Sequence, residues 1–330
     1  MLSILVLNWN GEAWLDRCVQ SVLLQSNQEF ELIVIDNDSS DNSRIIVQKY
    51  PRVQVAAFQK NLGYAGAYNV ACKMARGEWL LLLNNDTKLE QDFVEEFANI
   101  IQGGISADIL APRIRDYEGL SKGVCGVGMD IFGYPGFVNL GAPKMFYADG
   151  CALLIRKEVF YELNGFDGEY FIFYEDVDLC WRARMRGFNI KPAPNLTVYH
   201  YGGGIMGGLG DSSTTIITSE TRRFLGEKNR ISNVIRNYSI NKLLWIVPAM
   251  LVINSITILV LVAAGQKRIA YATMRAWMWH VSNIMYTFSR RTEIQRDRTV
   301  RDSLVMEDMY WASVQAYTFL TRGVPRTSKL

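Results

Sequence analysis

Asn84-Asn85-Asp86 closes an uninterrupted apolar run, Trp79–Leu83. A carboxylate at the tip of a buried strand suits a hard divalent cation, magnesium or manganese, which prefers oxygen donors and keeps waters and substrate phosphates around it. One carboxylate holds such an ion weakly, so a substrate diphosphate would complete the shell. The same residues also suit a helix N-cap. Asp36 closes a second run, Glu31–Ile35, and opens Asp36-Asn37-Asp38-Ser39-Ser40-Asp41. Its carboxylate suits a nucleobase imide N–H or a ribose hydroxyl, or else an Asx-turn. Glu175, Asp176 and Asp178 lie within four positions. Crowded carboxylates raise one another's pKa, which suits general-base chemistry. An acidic first turn complementing the helix dipole is the alternative. His200 follows the strand-like Leu196–Tyr199 and suits either a metal or a structural role. His280 lies among apolar and aromatic residues and is given no role.

These groups need elements to hold them. Ser3–Leu7 reads as a strand ending at Asn8-Trp9-Asn10-Gly11, and Leu15, Cys18, Val19 and Val22 follow at helical spacing. Further strands are expected at Glu31–Ile35, Val53–Phe58 and Trp79–Leu83. Helices are expected at Ser43–Tyr50, Ala65–Ala75, Glu158–Leu163 and Asp176–Gly187. The alternation argues for an α/β fold, a mixed, mainly parallel sheet with helices on both faces. Ligands of such sheets sit beyond the carboxyl ends of the strands. Asn8 and Asn10, Asp36 and Asp38, and Asn84 and Asp86 all fall there. Gly119–Gly141 reads as loops and short strands. Residues 202–210 hold six glycines in nine positions, which reads as a mobile lid or a plain flexible linker.

Hydrophobic residues make up 49% of the 330 and charged ones 21%, which excludes a disordered or collagen-like chain. A net charge of +2 gives no reason to expect nucleic acid as a partner. Five scattered cysteines form no C-x-x-C pair, which points to a reducing compartment. The chain opens on an apolar strand without a basic leader region, so no signal peptide is expected.

Leu243–Ala264 is 22 residues without a charge, long enough to span a bilayer. Pro248, Asn254, Ser255 and Thr257 weaken that pattern. Ile269–Phe288 continues with mostly helical apolar spacing. Lys267–Arg301 holds eight basic and two acidic residues, a local charge of +6. Basic residues flank the apolar run on both sides, so a single span would leave one flank on the wrong side. An interfacial or re-entrant arrangement on an anionic leaflet resolves that conflict, and a soluble helical core is the alternative.

The order of these pieces resembles family 2 glycosyltransferases, the inverting GT-A type, within their rhamnosyltransferase-like branch. The resemblance covers about residues 1–240. Asn8-Trp9-Asn10-Gly11 looks like the family's first-strand segment, and Ile33–Asn37 with Ser39-Ser40-Asp41 like its second. Asn61-Leu62-Gly63-Tyr64-Ala65-Gly66 with Asn69 is similar to its N-x-G-F-A-G signature. Arg76-Gly77-Glu78 through Asn84-Asn85-Asp86-Thr87 resembles the strand ending in a D-x-D-type metal motif, with Asn84 a departure from the usual first Asp. Gly165-Phe166-Asp167, then Glu175-Asp176-Val177-Asp178-Leu179 and Trp181-Arg182, resemble the acidic acceptor region.

The resemblance implies roles. Asp176 is the general base, and Asp36 reads the base of the donor. Asn8, Asn10, Asn61, Gly63, Asn69, Asn85 and Asp149 complete the donor site. Glu175, Asp178, Trp181 and Arg182 support the acceptor side. Asp86, with His200 and Asn84, holds a divalent cation, Mn2+ or Mg2+. The donor implied is a nucleotide sugar, dTDP-rhamnose first, with UDP- and GDP-sugars open. The acceptor is a glycan or polyprenyl-linked sugar at the cytoplasmic face of the membrane. The protein there is peripheral, monotopic or single-pass, and homo-oligomerisation is left open. The division expected is a GT-A domain over 1–240 and a helical, membrane-associated region over 241–330. Two other readings stand beside this one. A sugar nucleotidyltransferase would carry a basic, glycine-rich loop after its first strand, and Asn8–Trp14 has one glycine and no Lys or Arg. A non-catalytic nucleotide-sugar-binding scaffold would fit the substitution at Asn84.

Overall fold

The computed structural model of the protein describes residues 1–137, 144–202 and 217–327. The chain groups into two compact units. One comprises Met1–Gly126, Tyr147–Leu179 and Phe188–Gly203, the other Val127–Phe146, Cys180–Gly187 and Gly204–Leu330. These units interleave along the chain, whereas the division expected at residue 240 is linear. The glycine-rich stretch after Gly202 lies outside the described residues.

The first unit runs β1 (Leu2–Asn8), α1 (Leu15–Leu23), β2 (Phe30–Asp36), α2 (Ser43–Gln48), β3 (Gln54–Ala57), α3 (Gly63–Ala71), β4 (Trp79–Asn84), β5 (Thr87–Leu89) and α4 (Phe93–Gln102). It continues with β6 (Ile109–Asp116), β7 (Val124–Cys125), β8 (Ala152–Arg156), α5 (Lys157–Glu162), α6 (Glu175–Met185, its last turns counted with the second unit) and β9 (Ile190–His200). The strands form one sheet in the order β3-β2-β1-β4-β8-β6-β9-β5, with β7 beside β6. Pairings β1–β2, β2–β3, β1–β4 and β6–β9 are parallel. Pairings β4–β8, β6–β8, β6–β7 and β5–β9 are antiparallel. The sheet is mixed, with one parallel block built from the first four strands and a second parallel pair, β6–β9.

Side chains of a strand alternate between faces. Leu2, Ile4, Val6, Leu32, Val34, Leu81 and Leu83 share one face and pack on Leu15, Cys18, Val19 and Val22 of α1, with α2 and α4. Leu5, Ile33, Ile35, Leu80 and Leu82 have the opposite parity and are buried too. On that face α3 packs against β1 and β2, and Tyr68 Oη donates to the Leu83 carbonyl at 3.0 Å. Burial on both faces is why these runs read as continuously apolar. The strand expected at Leu196–Tyr199 begins earlier, at Ile190, despite Pro192 and Pro194. Only β6 pairs with that first half, and the register slips between Pro112 and Arg113, so the missing amides break little of the ladder.

The second unit holds α7 (Glu220–Asn237), α8 (Ile240–Ala263), α9 (Lys267–Ser282), α10 (Ile284–Arg296), α11 (Asp302–Val305) and α12 (Val314–Arg322). Its short strands β10 (Ile217–Thr218) and β11 (Arg326–Thr327) pair in parallel. Ser219 caps α7 by accepting from the Arg222 amide at 3.2 Å. The helical pattern expected over Ile269–Phe288 is broken at Asn283, which leaves helical geometry at φ −116°, ψ 31°. Its Nδ2 donates to the Trp279 carbonyl at 2.8 Å, a local bond that competes with the helix ladder. The apolar period continues through the break, so periodicity alone does not locate it.

Candidate active site

The polar residues at the parallel strand ends are stitched together by their own side chains. Asn8 pairs with Asp36 across the β1–β2 ladder. Asn8 Nδ2 donates to Ser39 Oγ at 3.1 Å, and its Oδ1 accepts from Asn85 Nδ2 at 2.8 Å. Asn10 adopts φ +50°, and its Oδ1 accepts from the Ser40 amide at 2.8 Å. A Cβ on Gly11 would lie 1.9 Å from Asn85 Nδ2 and 2.3 Å from Asn8 Oδ1, so a larger residue there would displace the Asn8–Asn85 amide pair.

Asp36 is buried and accepts from the Ser39 amide at 3.3 Å and from Arg44 Nε. Its side chain therefore has a cationic partner that the sequence reading did not anticipate. A cavity of about 310 Å3 opens beside the pair, lined by Asn8, Asp36, Ser43, Arg44, Val47 and Val55 among others. Arg44 lies eight residues on, in the first turn of α2 and beyond the Asp36–Asp41 motif, so nothing in the pattern marks it.

Asn61, Gly63 and Asn69 hold backbone rather than facing open space. Asn61 Oδ1 accepts from Asn37 Nδ2 at 2.9 Å and from the Gly63 amide at 2.8 Å. Gly63 sits at φ +70°, and an added Cβ would lie 2.3 Å from the Phe171 carbonyl oxygen. Asn69 brackets Phe166, donating to its carbonyl at 2.8 Å and accepting from its amide at 2.9 Å. Both ends of the Asn69 amide thus clamp the backbone of Phe166.

That clamp and the segment after it set the acidic group. Phe171, Phe173 and Tyr174 have φ of +25°, +72° and +68°, which is costly for aromatic residues and directly precedes α6. Glu175 and Asp176 open the helix. Asp176 is half-buried, and its Oδ2 accepts from the Gly150 amide at 2.9 Å. A Cβ on Gly150 would lie 3.1 Å from that oxygen. Tyr64 Oη fixes the same turn by donating to the Gly150 carbonyl at 2.6 Å. Asp149 Oδ1 accepts from the Cys151 amide at 2.9 Å. Burial first, then the charge of Asp149, pushes the Asp176 carboxyl up to about 7. Burial and the neighbouring Asp176 likewise raise Glu175 well above the usual carboxylate range, and among the described residues its buried Oε2 has no hydrogen-bond partner.

Three residues expected on the acceptor side, Asp178, Trp181 and Arg182, are interior. Trp181 is fully buried, with its ring 5.5 Å from Phe146 and 4.9 Å from Tyr238, both edge-on. Arg182 is buried as well, and both belong to the second packing unit. Asp178 is completely buried. Their positions follow from helical periodicity, which turns these residues inward.

Asp86 and His200 meet because β5 pairs antiparallel to β9, with Thr87 opposite His200. His200 Nε2 lies 3.3 Å from Asp86 Oδ1, and the Tyr201 amide donates to the Asp86 carbonyl at 3.0 Å. Burial opposes the imidazolium, but the hydrogen bond and charge of Asp86, with Asp149 behind it, raise His200 above its ordinary value. Among the described residues no cluster of three His, Cys, Asp or Glu side chains is arranged around a metal position. The Asp86–His200 pair supplies one hard oxygen and one imidazole nitrogen. Such a donor set fits an ion that takes its remaining ligands from a diphosphate and water. Asn84 anchors the turn through its backbone: its amide donates to the Cys151 carbonyl at 2.9 Å, and its carbonyl accepts from Thr87 Oγ1 at 2.7 Å. An aromatic group, Trp14, Tyr117 and Tyr201, stands beside this turn, with the Trp14 and Tyr201 rings 3.9 Å apart. It joins residues 187 positions apart, which no spacing rule finds.

The fold is a mixed α/β sheet whose polar loops gather at the ends of its parallel strands. Residues 3–163 match the profile of Glycosyl transferase family 2. It is 25% identical over 237 residues to N-acetylglucosaminyl-diphospho-decaprenol L-rhamnosyltransferase of Mycobacterium tuberculosis, covering 61% of this chain and 76% of the relative. Two further relatives are matched over only 21% and 40% of their own lengths. Among solved structures, S. aureus TarS 1-349 in complex with UDP superposes with a TM-score of 0.52 at 21% identity, over 72% of this chain and 65% of that one. The mannosyltransferase PcManGT from Pyrobaculum calidifontis, in complex with GDP-Man and Mn2+, gives 0.51 at 13% identity, over 90% and 85%. At these identities the structural likeness shows the fold, which is GT-A-like.

Proposed function

We propose that the protein is an inverting glycosyltransferase of polysaccharide or glycoconjugate synthesis. It moves a sugar, rhamnose first among the candidates, from a nucleoside diphosphate to a hydroxyl of a glycan or polyprenyl-linked acceptor. The observation that carries the reading is Asp176, a half-buried carboxylate pushed up to about 7 and oriented by the Gly150 amide. A base with that affinity is matched to removing a hydroxyl proton near neutral pH. The named activity of the mycobacterial relative, on a decaprenol-linked sugar, supports the lipid-linked acceptor and the rhamnose choice. The UDP and GDP-Man complexes of the structural neighbours support a nucleotide-sugar donor.

Asp176 takes the acceptor proton as the hydroxyl attacks the anomeric carbon, and the diphosphate leaves from the opposite side. One displacement inverts the configuration. The cavity beside Asp36 and Arg44 takes the nucleobase, and the Asn8–Asn85 bond holds the loops that flank it. Mn2+ or Mg2+ held by Asp86 and His200 would stabilise negative charge on the departing diphosphate. Asn84 lowers the negative charge of that turn relative to two carboxylates.

The test is a panel of dTDP-, UDP- and GDP-sugars with manganese, magnesium or EDTA, run on the wild type, Asp176→Asn and Asp86→Ala. Metal-dependent release of one nucleoside diphosphate, lost in both variants, is the expected result. Nucleotide binding without release from any donor, even with membrane lipid extract as acceptor, would move the assignment to a non-catalytic scaffold.

A further inference from the structure

Helix α8 buries a single stripe: Leu243, Ile246, Met250, Asn254, Thr257 and Leu261, spaced three and four apart. The rest of its circumference is apolar and open to solvent, with Leu244 72%, Val252 60% and Leu259 69% exposed. At about 1.5 Å per residue its 24 residues are long enough to cross a bilayer. The buried stripe argues against crossing. A spanning α8 would set residue 252 near the midplane, within a turn of Asn254. Asn254 Oδ1 accepts from Tyr134 Oη at 3.1 Å, and that hydroxyl also lies 3.0 Å from Glu227. Glu227 in turn pairs with the fully buried Arg230 at 2.7 Å. Helix α7, which holds that ion pair, has seven charged residues in 18 and packs against α8, α9 and α10. Crossing would bring this charge to the centre of the hydrocarbon, where ionisable groups are most costly.

Lying in the plane of the surface removes the conflict, since one face of α8 meets acyl chains while the other stays on polar protein. The open face of α9 repeats the pattern, with Tyr271, Met274, Met278 and Val281 at spacings of three and four. Lys267 and Arg268 are exposed immediately after α8. Trp245 and Trp311 lie parallel, 6.3 Å apart and partly exposed, a pair suited to the headgroup level.

We propose that α8 and α9 form a monotopic docking surface for an anionic bilayer, with the outer face of α8 embedded in one leaflet and Lys267 and Arg268 on lipid phosphates. This deepens the membrane-side reading above and rests on it only for the purpose the surface serves. The test is flotation of the full chain with phosphatidylcholine vesicles, with and without phosphatidylglycerol, followed by alkaline carbonate extraction. The wild type is expected to float with the anionic vesicles and to be released by carbonate. Leu244→Glu with Leu259→Glu should weaken binding by about tenfold or more. Lys267→Glu with Arg268→Glu should weaken it only on anionic vesicles. Both pairs are exposed, and an unchanged Tm shows that they fold; Leu244→Ser with Leu259→Ser replaces the first pair if it does not.

Retention in carbonate would overturn the proposal in favour of a span. So would a wild type that ignores vesicles, or a dimer by light scattering that the leucine variants dissociate. Nucleoside diphosphate release without lipid, measured on the same samples, separates the two readings. Vesicle binding with no turnover of any donor sinks the transferase reading and leaves the surface standing.

Discussion

The two packing units place polarity in opposite senses. In the first, apolar side chains fill the sheet, and the acidic and amide groups sit at strand ends, where backbone amides bind them. In the second, Arg230, Arg236, Asn233 and Asn237 are completely buried, while Val281 and Met285 are 74% and 82% exposed. A water-filled environment around all of the chain explains the first arrangement and not the second. The difference teaches that burial reports different things in the two units. At Asp176 it tunes a proton affinity, whereas at Arg230 it makes the ion pair with Glu227 costly to break.

The largest expected effect breaks the comparison on the first side. Asp176→Asn should lower kcat/KM by about 10²–10⁴-fold, the range for loss of a general base. It should do so without loss of stability. Burial and the charge of Asp149 push the folded carboxyl up to about 7 from an ordinary 3.8, so the native state holds the extra proton between those values. Stability from this group is therefore complete below about 4 and is lost as pH rises through 7. The asparagine variant removes that loss, and Tm at pH 8 should stay level or rise. For the wild type, kcat/KM should fall about tenfold per pH unit below 7 and level off above it. A flat profile from pH 5 to 8 in the wild type would rule out Asp176 as the titrating base.

The second unit gives an effect of stability rather than rate. Glu227 accepts from Arg230 and from Tyr134, and Arg223 lies 2.9 Å away as an ion-pair partner. Together these cations hold its carboxyl below the ordinary range, although burial acts first in the other direction. Glu227→Ala removes the carboxylate 2.7 Å from the buried Arg230, which should cost about 3–5 kcal/mol in urea unfolding. Glu227→Gln keeps the shape and Tyr134's acceptor but not the charge, and should fall between. A loss as small as that of an exposed pair would mean that the second unit's interior is wet.

The legible part of the molecule is the part with a short-range signature. Runs such as Trp79–Leu83 end where their strands end, so Asn8, Asp36 and Asn84–Asp86 could be placed at one edge of a sheet from alternation alone. His200 reaches Asp86 only through the β5–β9 pairing, and spacing has no purchase on that. The Asn69 clamp joins residues 97 apart, and the partner it holds is backbone, which no side-chain motif records. Trp181 shares the acidic segment that opens α6 but turns inward, because a helix repeats every 3.6 residues while a motif is read as a string. The inverted polarity of the second unit was visible only as an apolar stretch and a basic one. Which face each residue took depended on α7, whose buried charges look like a solvated helix in sequence.

Asn69→Ala tests whether the clamp matters to the base that follows it. The substitution leaves the Phe166 amide and carbonyl without their partners, a cost of about 1–3 kcal/mol if both stay buried. Because Phe166 leads through the strained residues to Glu175, kcat should drop with little change in nucleotide affinity. Asn69→Asp, which keeps one acceptor for the amide, should recover part of it. A fall in nucleotide binding with kcat intact would return Asn69 to the donor site.

The smallest expected effect sharpens the contrast most, because it compares one residue type in two settings. Leu82 is completely buried in β4, and Leu82→Ala should cost about 2–5 kcal/mol, a transfer loss plus a cavity. Leu244 on the outer face of α8 has most of its surface open, so Leu244→Ser should change unfolding free energy in buffer by less than about 0.5 kcal/mol. The same variant measured on anionic vesicles should lose affinity, since there the side chain has a solvent to leave water for. If instead Leu244→Ser destabilises the protein in buffer as Leu82→Ala does, the outer face of α8 is covered by protein. The two units would then obey one rule of burial after all.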